Sequence, residues 1–80
     1  MEAVVAITQR VRLGKLCKVY NRRKRLVGEW VVKEGEKGFT YSALTFDKTG
    51  EVEWDLTGSN PDYPTMDEAA RAAIDNILHP

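Results

Sequence analysis

The residues best suited to chemistry in this chain are cations. Tyr20-Asn21-Arg22-Arg23-Lys24-Arg25 places four consecutive basic side chains behind a tyrosine and an asparagine, with Lys18 two residues upstream. Guanidinium and ammonium groups neutralise phosphates and release their counterions, and a tyrosine ring stacks on a base. Arg10 and Arg12, spaced by two, fall on one face of an extended segment and support the same surface. A polar turn between two extended runs makes a protruding two-stranded ribbon, and such a ribbon fits a major groove. The expected nucleic-acid or nucleoprotein contacts are therefore Arg10, Arg12, Lys18, Tyr20, Arg22, Arg23, Lys24 and Arg25. The plainer reading is a solvated loop that pairs with carboxylates elsewhere.

Charge is divided along the chain. Residues 1–28 hold eight cations against Glu2 alone, a net +7, and residues 29–80 hold eleven carboxylates against four cations, a net −7. Overall neutrality and a pI near 6.6 argue against a dedicated high-affinity nucleic-acid binder, which is usually strongly basic. The acidic half suggests an alternative. Glu51, Glu53 and Asp55 alternate along one short run and form a negative face that docks a basic partner protein. On that reading the chain is a protein-binding accessory or inhibitor module of phage or bacterial type. A bipolar molecule also has the means to self-associate, as a homodimer or a structural protein, through complementary faces or exposed edge strands.

The remaining reactive groups are weaker. His79, the single histidine, is the penultimate residue, where a general base is poorly held. Cys17 lies among apolar neighbours, which suits a small buried hydrophobe better than a nucleophile. On a strand Glu51, Glu53 and Asp55 stand roughly 7 Å apart, a stripe and not the convergent cage a divalent cation needs. The chain has no phosphate-cradling glycine loop, no GxGxxG and no CxxC. A non-enzymatic binding module, with no cofactor and no metal, is the expectation.

The elements that position these groups read from periodicity. Thr65 followed by Glu68 is a capping box, with Asp67 and Glu68 at the positive end of the helix dipole. Met66, Ala69, Ala70, Ala73, Ile74, Ile77 and Leu78 then form a single apolar stripe, which predicts a helix over 65–78. A helix this short is marginal alone and needs a surface to cover. Strands are predicted at 3–13, 15–20, 26–34, 39–47 and 51–57. In the first, Val5, Ile7, Val11 and Leu13 alternate onto one face; a helix using Val4, Ile7 and Val11 is the competing reading. Gly14 and Gly50 supply the positive φ of turns. Trp30 and Val32 share an inward face in the third strand. In the fourth, Phe39 and Tyr41 oppose Leu44 and Phe46, which calls for a bulge or burial on both sides. In the last, Val52, Trp54 and Leu56 are expected inward and the three carboxylates outward.

Eighty residues make one domain with a small core. Short connections imply antiparallel neighbours. The resulting expectation is an α+β fold: an antiparallel sheet of four to five strands in meander order, with one C-terminal amphipathic helix packed on one face. A single cysteine allows no internal disulfide. No apolar run approaches the roughly 20 residues that span a bilayer, and MEAVVAITQR lacks the pattern of a signal peptide. A cytoplasmic location without membrane contact is expected. In outline, a meander followed by Thr65-Met66-Asp67-Glu68-Ala69 resembles the small sheet-plus-helix DNA-binding modules at the start of tyrosine recombinases. The likeness rests on that pentapeptide alone, and the acidic strand Glu51–Asp55 departs from a DNA-facing sheet.

Overall fold

The computed structural model describes residues 11–57 and 60–79. Four strands, β1 (Cys17–Tyr20), β2 (Leu26–Gly35), β3 (Gly38–Phe46) and β4 (Val52–Asp55), form one antiparallel sheet in the order β1-β2-β3-β4. The helix α1 (Met66–Leu78) follows and lies across one face of β2 and β3. The architecture is the expected two-layer α+β meander.

The helix forms where its signals stand. Thr65 is the N-cap, at φ −131° and ψ 157°, and its hydroxyl accepts the Glu68 N–H at 3.1 Å. Ala69, Ala70, Ala73, Ile74 and Ile77 are buried. They meet the face of the sheet made by Trp30 and Val32 of β2 and by Tyr41 and Ala43 of β3, all buried. Cys17 and Val19 complete this core from β1.

Close approach is set by one glycine. A Cβ built on Gly28 would stand 2.4 Å from Ile77 Cγ2 and 2.8 Å from the Leu44 carbonyl oxygen. The helix therefore rests against bare backbone at this point. The central polar contact is between Tyr41 and Asn76, whose side-chain amide donates to the phenol oxygen. Burial pushes the Tyr41 phenol above its ordinary pKa, and the Asn76 hydrogen bond partly opposes this.

The segment entering the helix is tied to the far end of the sheet. Phe39 and Tyr63 exchange backbone hydrogen bonds of 2.9 and 2.7 Å. The Asn60 side-chain amide donates to the carbonyls of Tyr41 and Leu56 at 2.9 and 2.6 Å, and Asp62 Oδ2 accepts the Lys37 N–H at 2.7 Å.

Three expectations need correction. Of the strand predicted at 3–13, residues 3–10 lie outside the described residues, and 11–13 make only an isolated parallel bridge, Leu13 to Val32. Gly14, at φ 74°, donates to the Val32 carbonyl at 2.9 Å and reverses the chain there, so the pairing cannot continue. Val11 is buried but Leu13 is 46% exposed, so the two do not share an inward face. Val52 and Trp54 are not buried either: they are 54% and 57% exposed. Trp54 pairs with the buried Thr45 and so lies on the helix side of the sheet, while a register shift between Thr45 and Phe46 sets Val52 opposite Phe46. The helix, moreover, covers β2 and β3 and does not extend over β4. Trp54 is thus not a core residue, whereas Trp30 is, at 4% exposure.

Replacing Ile77 by alanine should cost about 2–5 kcal/mol, and Gly28→Ala about 1–3 kcal/mol through overpacking. Because the two residues touch, the double variant should cost less than the sum of the singles. Urea denaturation of the four proteins measures this; strict additivity would mean that Ile77 does not rest on Gly28.

Candidate functional site

The β1–β2 connection is a tight turn pinned by one side chain. Asn21 Oδ1 accepts the N–H groups of Arg23 and Arg25 at 2.9 and 3.0 Å. The Asn21 N–H donates to the Arg25 carbonyl at 3.0 Å, and the Lys24 N–H to the Asn21 carbonyl at 2.9 Å. Lys24 sits in the left-handed region at φ 61°, the single non-glycine residue to do so among those described.

The β3–β4 turn repeats this arrangement. Asp47 Oδ1 accepts the N–H groups of Thr49 and Glu51 at 2.8 and 3.1 Å, and the Thr49 hydroxyl at 2.6 Å. The Asp47 N–H donates to the Glu51 carbonyl at 2.9 Å, and the Gly50 N–H to the Asp47 carbonyl at 3.1 Å. Gly50 holds the left-handed position at φ 87°. Both turns are three-residue hairpin loops with a left-handed third residue. One fills that position with glycine, the other with lysine.

The basic residues gather on the first hairpin. Lys18 is exposed on β1 opposite Glu29, and Tyr20 is 51% exposed at the end of the strand. Arg22, Arg23, Lys24 and Arg25 are exposed on the turn. Arg12 is exposed just before the Leu13 bridge, outside any strand, and Arg10 lies outside the described residues. The acidic residues gather at the opposite edge. Glu51 belongs to the β3–β4 turn and not to a strand, whereas Glu53 and Asp55 are exposed on β4. Asp55 Oδ1 accepts the Thr57 N–H at 2.9 Å, and hydrogen bonding from Thr57, its hydroxyl first and then its N–H, holds the Asp55 carboxyl below the usual range. The Asp47 carboxyl is likewise lowered, first by the Thr49 hydroxyl and then by the turn N–H groups.

Cys17 is buried, as its apolar neighbours require, and its thiol lies 3.8 Å from the Lys15 carbonyl. His79 caps the C-terminus of α1, its N–H donating to the Asp75 carbonyl at 2.8 Å. Among the described residues, no three His, Cys, Asp or Glu side chains converge on a point that would hold a metal ion. No described helix is long and apolar enough to cross a membrane. Sequence reasoning missed the exposed Val52 and Trp54. Their alternation with carboxylates marks a strand with two unlike faces, but it carries no information on how far the helix reaches.

Two tests follow from the paired turns. A side chain in the left-handed region costs about 1 kcal/mol or more, so Lys24→Gly should stabilise the domain by about 0.5–1 kcal/mol after glycine's entropy is counted. Chemical denaturation reads this directly. The lowered Asp47 carboxyl contributes stability above the ordinary carboxylate range, lost as pH falls through its folded-state value. Asp47→Asn should remove that part of the acid limb while keeping the turn, since Asn21 makes the same bonds in β1–β2. Stability measured against pH for both proteins checks it.

No protein-family model, curated protein or solved structure matches this chain at a significant level.

Proposed function

We propose that this domain is a binding module that grips nucleic acid through the β1–β2 hairpin. The observation that carries the reading is the turn itself. Its backbone is pinned by Asn21, and every residue of the loop, Arg22, Arg23 and Lys24, is a cation. The left-handed site that glycine fills in the twin turn holds Lys24. Residues held in costly backbone conformations cluster at ligand-binding positions. Arg25 follows the loop, and Lys18 and Tyr20 stand on the strand leading into it, so charge and a stacking ring share one rigid projection. Rigidity matters because fewer rotatable groups remain to be ordered when phosphate is bound.

The test is a salt series. Binding to single- and double-stranded DNA and RNA should weaken with salt at a log–log slope of about −0.7 to −0.9 per phosphate neutralised. Changing Arg22, Arg23, Lys24 and Arg25 together to glutamine should flatten that slope and leave stability nearly unchanged, because exposed charges contribute little to folding. Tyr20→Ala should weaken single-strand binding by about 1–3 kcal/mol. Absence of any gel shift at low salt with all four nucleic acids would overturn the reading.

A further inference from the structure

The large apolar side chains left exposed among the described residues lie at the two edges of the sheet. Leu13, Leu16 and Tyr20, at 46%, 56% and 51% exposure, line the β1 side; Val52 and Trp54, at 54% and 57%, line β4. The same edges carry opposite charge: Arg12, Lys15 and Lys18 on one, Glu51, Glu53 and Asp55 on the other.

Pairing registers connect the two edges in rows. Lys18 pairs with Glu29, Glu29 with Leu44, and Leu44 with Asp55. The next row runs from Val19 through Gly28 and Thr45 to Trp54. One row therefore begins at a cation and ends at a carboxylate, and its neighbour begins and ends at apolar side chains. Both edge strands are four residues long. Because the sheet has four strands and every neighbour is antiparallel, β1 and β4 run in opposite directions. A copy placed alongside in the same orientation thus brings its β1 antiparallel to the β4 of the first, with the helices on the same side.

We infer that a second copy of this chain adds its β1 edge to the β4 edge of the first and continues the antiparallel sheet. In the register that extends the rows, Lys18 of one copy faces Asp55 of the other, and Val19 faces Trp54. Lys18 then stands between two carboxylates, Glu29 of its own chain and Asp55 of its neighbour. Like edges are disfavoured, since β4 against β4 opposes carboxylates and β1 against β1 opposes cations. The contact is head-to-tail, so it propagates into rings or filaments and does not close at two copies. Each copy contributes four strands, about 19 Å along the assembly. This inference does not rest on nucleic-acid binding, but the two surfaces share Lys18 and Tyr20 of β1, so association through β1 would compete with nucleic acid there.

The experiment is sedimentation velocity on the nuclease-treated full chain over a wide concentration range, at low and high salt. The wild-type protein should grow in mass with concentration and return toward monomer as salt rises. Lys18→Asp and Asp55→Lys should each remain monomeric, because each variant carries one sign of charge at both ends of the row. Their equimolar mixture should associate again, since each supplies the edge that the other lacks. Trp54→Ser, at an exposed position, should weaken association at least about tenfold without lowering the unfolding midpoint, a readout that holds even if a charge variant folds poorly. A wild-type chain that stays monomeric throughout overturns the inference. So does a charge variant that associates like the wild type, a mixture that stays monomeric, or a monomeric chain whose β4 edge instead captures a foreign basic protein.

Discussion

The structure depends on Ile77 lying against Gly28. With no side chain at that point of β2, the helix settles onto backbone, and Ala69, Ala70 and Ala73 allow the same closeness along its length. The outcome is a core made of small residues on the helix and large ones, Trp30, Val32 and Tyr41, on the sheet. In so small a domain this division is economical. The bulk is supplied by the long central strands, whose own hydrogen bonds hold it in place, and the helix serves as a close-fitting lid. The Tyr41–Asn76 hydrogen bond then selects one rotation of the helix, because a buried phenol without its partner would be costly.

That closeness has a geometric consequence. One helix spans about 10–12 Å with its side chains, roughly two strand spacings. It therefore covers β2 and β3, reaches the core-facing Cys17 and Val19 of β1, and leaves β4 open. The exposed edges are thus not an accident of surface composition. They follow from laying a single helix over a four-stranded sheet, and the charges found there, basic on one side and acidic on the other, decorate backbone that the core does not enclose.

Much of this was legible in the residues. The capping box at Thr65, the apolar stripe from Met66 to Leu78 and the turn at Gly50 depend on local chemistry, and local chemistry is what sequence records. The meander follows from connections too short to permit anything else. What escaped depends on reach across space. Val52 and Trp54 alternate as an inward face should, yet whether such a face is covered is decided by a helix more than ten residues away. Gly28 sits inside a strand and reads there as a weakness, whereas its value appears only when Ile77 is set against it. The basic cluster was visible as composition, but the turn that presents it is held by Asn21, whose side chain accepts the N–H groups of Arg23 and Arg25. The kinship of the two turns was likewise hidden, because Asn-Arg-Arg-Lys-Arg and Asp-Lys-Thr-Gly-Glu share little but their first residue's shape.

The two tryptophans sit at opposite extremes of this design, Trp30 at 4% exposure beneath the helix and Trp54 at 57% on the outer strand. An indole in an apolar interior emits at shorter wavelength than one in contact with water. The chain therefore contains two built-in optical reporters. Emission from Trp30 follows the packing of the core, and emission from Trp54 follows the wetness of the outer edge. Replacing either one by phenylalanine isolates the signal of the other, so that loss of the fold and occupation of the edge become separately visible in the same molecule without any added label.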